Sequence, residues 1–331
     1  MSPETHKPRV SIVMSFYNEP LQWIQLALSS ILQQTFPDFE LIVVCDNPQN
    51  HKVLAYIEGI KDTRIKLIIN KENQGPTKSF NIAISASCGE YIAKMDADDI
   101  CMPERLQEQV TYLDSHPEIS VCASDAHHIN TKGKIIRRKR YRKKRNHSLL
   151  VIQNCIAHSS AMFRRSLLEL RSPLYNEDFR YAQDYELWQF LLLQGCKMHT
   201  LDKTLILYRK SSQHISRKHK SSQRDLFRKA RKSFIMNWMV SRDIIAPEDE
   251  ENLKTMLTKA SEAYSTRATE EERKYLANII YILYFTLVKD DWKYRLRYLT
   301  DKNLIAFRLR PIFTLRLLFT GRKRNRKPAF I

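Results

Sequence analysis

The first 125 residues alternate short apolar strands with segments of helical spacing. That alternation limits the fold more than any other feature of the chain. Arg9–Ser15 (RVSIVMS), Glu40–Cys45 (ELIVVC), Ile65–Ile69, Tyr91–Met95 and Ile119–Ala123 read as strands. ELIVVC is apolar almost throughout, as a strand is when both faces of its sheet are covered. Between the strands, Pro20–Gln34 places Leu21, Ile24, Leu28, Ile31 and Leu32 at helical spacing. Val53–Ile60, Gly75–Ser87 and Pro103–Ser115 read as further helices, the last with proline at its start and acids in its first turn. Strands separated by helices at this interval predict an α/β fold, a mostly parallel sheet flanked by helices on both faces.

Beyond residue 125 the pattern changes. Arg137–Arg145 has eight basic residues in nine and is expected on a solvated loop or strand pair. Asn154–Phe163 is a mixed apolar segment, Gln183–Gln194 a helix, and Lys197–Arg209 contains short strands. From about Ser221 the chain reads as almost wholly helical. Near the end, Leu304–Phe319 interleaves Leu, Ile and Phe with arginines, and Arg322–Lys327 is five-sixths basic.

Charge narrows the partners. The 55 Lys+Arg against 36 Asp+Glu leave a formal net charge of +19, which calls for an anionic partner: nucleic acid, phospholipid head groups or phosphorylated substrates. The opening MSPETHKPRV has no apolar run behind a basic region and does not read as a signal peptide. Tyr275–Val288 is too short to span a bilayer and contains Asn278, so it reads as a buried or interfacial helix. The six cysteines stand singly with no C-x-x-C pair, a pattern of reduced thiols in a cytosolic protein.

The sharpest local feature is Asp96-Ala97-Asp98-Asp99, directly after the strand YIAKM. In open α/β sheets, ligands gather beyond the carboxyl ends of the strands. Three carboxylates there repel one another unless a cation or hydrogen bonds relieve them. Mg²⁺ or Mn²⁺ carried by a diphosphate suits such a site, taking one or two carboxylates plus phosphate oxygens and waters. A solvated acidic turn capping the Pro103 helix is the other reading.

Five segments, in order and spacing, resemble the inverting glycosyltransferases of family 2, whose catalytic domain has the nucleotide-diphosphosugar (GT-A) fold. They are VSIVMSFYNEP (Val10–Pro20), QQTFPDFELIVVCD (Gln33–Asp46), NKENQGPTKSFNIAI (Asn70–Ile84), GEYIAKMDADDICMPERL (Gly89–Leu106) and YAQDYELW (Tyr181–Trp188). The resemblance covers roughly residues 8–216 and implies a catalytic domain at 1–216. Its nucleotide-sugar half would lie at about 8–125 and its acceptor half at about 126–216. Residues 217–331 then form a basic helical region with possible membrane association.

The resemblance also implies roles. Tyr17 would meet the base, and Glu19 would accept from ribose or uracil, unless it serves only as an acid at a helix N-terminus. Asp46 matches the acid that accepts from the uracil ring, although Cys45-Asp46-Asn47-Pro48 lacks the family's second acid and glycine. Gly75 opens a helix whose backbone N–H groups suit phosphate, with Lys78 adding charge. Asp96 would hold the ribose or help position the metal, and Asp98 would be the main ligand of Mn²⁺ or Mg²⁺. Asp99 would orient sugar hydroxyls or cap a helix. Asp184 is the expected base, taking the acceptor's proton, with a helix N-cap as its alternative role. Gln183 replaces the usual neighbouring acid. His158 would bind the acceptor or a phosphate, with a structural histidine the competing reading. Arg209 would contact diphosphate, while Ser211 stands where the family has histidine.

The implied reaction moves a single hexose, glucose or galactose favoured, from a UDP-sugar to a lipid-linked saccharide with inversion to a β-linkage. No Gln-x-x-Arg-Trp segment of the processive synthases is present. O-antigen, lipopolysaccharide or capsule synthesis is implied, with a lipopolysaccharide core transferase as the variant reading. The expected location is cytoplasmic, peripheral on the anionic inner face of a bacterial inner membrane. A basic nucleic-acid- or membrane-binding protein without catalysis is the reading from another class; no nucleic-acid recognition motif supports a nucleic-acid partner.

Overall fold

The computed structural model describes residues 7–141, 147–211, 219–266 and 268–290. The chain divides into two compact units, Met1–Arg145 with Cys155–Gln223, and Asn146–Asn154 with Arg224–Ile331.

The first unit opens with β1 (Val10–Phe16), α1 (Leu21–Leu32), β2 (Phe39–Cys45), α2 (His51–Glu58), β3 (Ile65–Ile69), α3 (Pro76–Ser85) and β4 (Tyr91–Asp96). These strands lie in the order β3-β2-β1-β4, all parallel. Leu41 to Cys45 are all fully buried, as the unbroken apolar run requires. The chain steps outward from β1 to β3, then returns across β1 to place β4 on its other side. That reversal is a topological switch point, which opens a crevice at the strands' carboxyl ends. Register brings those ends level: Phe16 pairs with Cys45, and Ser15 with Asp96.

The chain continues through β5 (Ile100–Cys101), α4 (Arg105–Ser115), β6 (Ile119–Ile129), β7 (Ile135–Lys139), β8 (Met162–Arg164), α5 (Gln183–Leu193) and β9 (Lys197–Arg209). The sheet runs β3-β2-β1-β4-β8-β6-β9-β5, with β7 added on β6. It is therefore mixed rather than mostly parallel. The three-residue β8 sits antiparallel between β4 and β6, β5 is antiparallel to β9, and β6 runs parallel to β9. β8 follows a 3-10 turn (His158–Ser160) instead of a crossover helix, so nothing forces it parallel. β6 extends six residues past its expected end at Ala123, and Lys197–Arg209 is one strand instead of several. Polar Ser124-Asp125 interrupts the apolar pattern there, where the β6–β9 register also shifts.

The second unit holds α6 (Lys220–Val240) from Arg224 onward, α7 (Leu253–Thr266), α8 (Glu270–Asp290) and the 3-10 turn His147–Val151. Phe234, Trp238, Leu257, Ala260, Leu276, Ile279, Ile280 and Leu283 are buried. Trp238 stacks on Tyr275 with ring centroids 5.4 Å apart. Asn278, the polar break in the apolar run, is buried and donates Nδ2 to the carbonyl and hydroxyl oxygens of Ser148, each at 2.9 Å. Among the described residues, no helix is long and apolar enough to cross a membrane. Leu304–Phe319, Arg322–Lys327 and Arg142–Arg145 lie outside the described residues.

Candidate active site

The nucleotide side of the crevice is built from the loops after β1 and β2. Tyr17 is exposed, and its carbonyl accepts Asn50 Nδ2 at 3.0 Å. Glu19 folds back so that Oε2 accepts the Tyr17 N–H at 2.7 Å. Burial pushes its carboxyl up to about 6; that hydrogen bond opposes the shift, and the charges of Asp98 and Asp96 add to it. Glu19, Asp96 and Asp98 thus share one electrostatic neighbourhood. The loop that lacks the second acid and glycine is closed by asparagine instead. Asn47 donates Nδ2 to Asn18 Oδ1 at 2.7 Å and accepts the Gln49 N–H at 3.0 Å.

Asp46 is buried, and its Oδ1 accepts Asn70 Nδ2 and the Gln74 N–H while its Oδ2 accepts the Gly75 N–H, each at 2.8 Å. Asp46 thereby anchors the loop entering α3. Lys78 is exposed on the first turn of α3. Gly75 has φ +84°, and a Cβ there would fall 2.5 Å from Arg180 Nε. The positive φ calls for glycine there, and the Arg180 guanidinium lies against it. Sequence reading missed Arg180, because only the fold brings it to Gly75.

The carboxylate turn closes tightly, with the Asp99 N–H donating to the Asp96 carbonyl at 3.2 Å. Lys94, two residues earlier on the same face of β4, is buried and donates Nζ to Asp96 Oδ1. Its ammonium lies 4.7 Å from the Phe80 ring centroid. Asp99 and Arg209 are both buried, at 0% and 1% exposure. Asp99 Oδ1 accepts the Arg209 N–H at 2.7 Å. Arg209 in turn donates Nε to the Asp98 carbonyl at 2.7 Å and Nη1 to the Asn130 carbonyl at 3.1 Å. Its guanidinium also lies over Trp23, 5.1 Å from the ring centroid. The pair clamps the turn against β9. Burial first, then the charges of Asp98 and Asp96, raise the Asp99 carboxyl well above the usual carboxylate range. Asp96 and Asp98, both half-buried, remain as the carboxylates at the strand's end.

Asp184 enters from α5. The helix N-cap is Ala182, so Asp184 lies in the first turn and not at the cap. Its Oδ1 accepts the Tyr185 N–H at 2.8 Å. Buried Tyr185 and Trp188 anchor the helix, and Arg171 grips Glu186 through two bonds of 2.6 and 2.9 Å. Tyr175 links this helix to the turn. Burial raises its phenol well above the ordinary range, and the charges of Asp184 and Asp96 both push the same way. Tyr141 feels Asp99 and Asp184 in addition to burial, and Tyr208 feels Asp99, Asp96 and Asp98. Tyr175 shares a 2.7 Å hydrogen bond between its hydroxyl and His158 Nε2. His158 also packs edge-on to Phe80 and Trp188, at 6.1 and 6.0 Å. Burial, then Lys94, hold His158 well below the usual imidazole range. The structure therefore sets His158 in an aromatic wall behind the carboxylates. Sequence reading missed Lys94 and the three tyrosines; an ionisable lysine inside an apolar strand was the available signal.

Among the described residues, no group of three or more His, Cys, Asp or Glu forms a preformed metal centre. Asp96 and Asp98 nevertheless fit a Mg²⁺- or Mn²⁺-type ion, which takes its remaining ligands from phosphate and water.

Residues 11–171 match the family described as Glycosyl transferase family 2. An uncharacterised glycosyltransferase of Methanocaldococcus jannaschii is 34% identical over 214 residues, which span 63% of this chain and 73% of that protein. The O-antigen biosynthesis glycosyltransferase WbnJ of Escherichia coli is 26% identical over 208 residues, spanning 60% of this chain and 79% of that protein. In fold, the chain is similar to S. aureus TarS 1–349 crystallised with UDP-GlcNAc. The TM-score is 0.58 at 16% identity, covering 96% of this chain and 93% of that one.

Proposed function

This chain belongs to glycosyl transferase family 2, and on that premise we propose that it moves a single hexose from a UDP-sugar to a hydroxyl of a lipid-linked saccharide, with inversion to a β-linkage. Glucose or galactose is the favoured donor sugar, and GlcNAc-diphosphoundecaprenol the favoured acceptor. Catalysis falls within residues 1–216 in this reading, and the product belongs to O-antigen, lipopolysaccharide or capsule synthesis. The resemblance to WbnJ supports that setting.

One observation carries the reading: the register of β1, β2 and β4 sets Asp96 level with the carboxyl ends of the parallel strands, in a chain whose residues 11–171 match the glycosyl transferase family 2 model. UDP would lie beyond β1 and β2, beside Tyr17 and Glu19, with its diphosphate toward Asp96 and Asp98. Those two carboxylates would hold Mn²⁺ or Mg²⁺, which when bound offsets negative charge on the diphosphate. Asp184 accepts the acceptor's proton as its oxygen attacks the anomeric carbon from the face opposite the leaving UDP. Lys94 and Arg209 keep the carboxylate turn in one geometry, which holds the donor ready for that attack.

Asp184→Asn tests the assignment. Turnover of UDP-hexose with a synthetic GlcNAc-diphospho-lipid should fall by roughly 10²- to 10⁴-fold, with UDP affinity retained. Turnover near wild type would remove Asp184 as the base.

A further inference from the structure

We propose that the β6–β7 hairpin is a docking surface for an anionic lipid bilayer. Every residue of β7 from Ile135 to Arg138 is exposed, and the strand pairs only with β6 among the described strands. Ile135 and Ile136 are 43% and 56% exposed. Around them stand Lys132, Lys134, Arg137, Arg138, Lys139 and Arg140, and along the chain the nearest acids on either side are Asp125 and Glu169. Basic side chains alone would be accounted for as protection of a sheet edge. Two adjacent exposed isoleucines work against that protection and are what an apolar phase would cover. Lysines and arginines flanking an apolar tip are the chemistry that meets an anionic head-group layer with acyl chains beneath. Nucleic acid fits less well, since single strands are held by aromatic stacking as well as phosphate contacts and β7 carries no aromatic residue. The positive field is already felt inside the sheet: burial first, then Lys210, Lys139 and Arg137, lower His128 to about 4.

The hairpin is rigid and tied to the site. Asn130 Oδ1 accepts the N–H groups of Lys132 and Lys134, both at 3.0 Å, which fixes the turn. The Asn130 carbonyl accepts Arg209 Nη1, and the same guanidinium holds the Asp98 carbonyl. Arg209 thus bridges the hairpin's turn and the carboxylate turn. That placement deepens the reading of the acceptor as lipid-linked and rests on it only for the second readout below.

The test uses the full chain with phosphatidylcholine vesicles, with and without phosphatidylglycerol. Arg137→Gln/Arg138→Gln/Lys139→Gln should weaken partition to the anionic vesicles by roughly 100-fold at low salt. Ile135→Ser/Ile136→Ser should weaken it by roughly tenfold. Both variants should keep wild-type UDP affinity, and both should lose turnover on vesicle-borne acceptor more than on a short-chain soluble one. Failure of the wild type to bind UDP would strike the donor-site reading and leave the partition result standing. Wild-type partition by either variant overturns the proposal. So does loss of duplex RNA or DNA retention in the charge variant without loss of vesicle binding in the isoleucine variant, which would make the hairpin a nucleic-acid surface. Conversion of a dimer to a monomer by the isoleucine variant, with vesicle binding intact, would make it an interface between copies.

Discussion

Arg209 directs its guanidinium at backbone carbonyls, and Asp99 accepts the backbone N–H of Arg209. Arg209→Lys should therefore destabilise the fold by about 2 kcal/mol, because one ammonium cannot serve two separated carbonyls in a buried fork. Urea unfolding at neutral pH checks this, and calorimetry should show weaker UDP binding in the same variant. Glu19 gives a pH test. Its carboxyl stands at about 6 in the fold against an ordinary 4.5, so the ionised form is the one the fold disfavours. Stability tied to this group is thus complete below about 4.5 and declines as pH rises through 6. Glu19→Gln should be more stable than wild type by about 1 kcal/mol at pH 7.5 and no different at pH 4. Equal stability of the two proteins at pH 7.5 would contradict it. At this scale the sequence picks out the acids only as a group and cannot sort Asp99 from Asp96 and Asp98. Three aspartates in four residues look alike until β9 buries one of them.

Among the elements, β1, β2 and the turn before β4 are joined by one polar knot. Glu40 accepts the Ser11 hydroxyl at 2.6 Å and the Cys88 N–H at 2.7 Å, and the Gly89 N–H donates to Ser11 Oγ at 2.7 Å. A Cβ on Gly89 would come within 2.5 Å of the Ser11 backbone nitrogen. Gly89→Ala should lower stability by about 1–3 kcal/mol, since strand backbone cannot yield as a side chain can. A thermal scan read by circular dichroism decides it. The strands and helices of residues 9–115 were legible because each carries its own period of apolar residues. β7 and β8, by contrast, have no apolar pattern long enough to declare itself. β8 has three residues, and β7 is an edge strand rich in arginine and lysine.

For the whole molecule, the division of charge matters more than its sum. Carboxylates gather at the ends of β1, β2 and β4, while β7 and its turn carry basic residues without acids. Because no preformed metal centre exists among the described residues, chelation should leave the unfolding temperature of the donor-free protein unchanged. The same chelator should abolish UDP-sugar turnover, and Mn²⁺ or Mg²⁺ should restore it. A fall in unfolding temperature on chelation alone would instead reveal a structural ion.

The sequence by itself determined the parallel βαβ frame and the strand ends at which its crevice opens. Hydrophobic period and strand-end position are local properties that a chain carries in its own order. Tertiary structure alone decided which acids stay at the crevice and which are buried. It also placed Lys94 beside Asp96, Arg180 against Gly75 and Arg209 across Asp98 and Asn130. Those pairings, apart from Lys94 with Asp96, join residues far apart in the chain, and burial changes what a charge can do only once the neighbours that exclude water are in place.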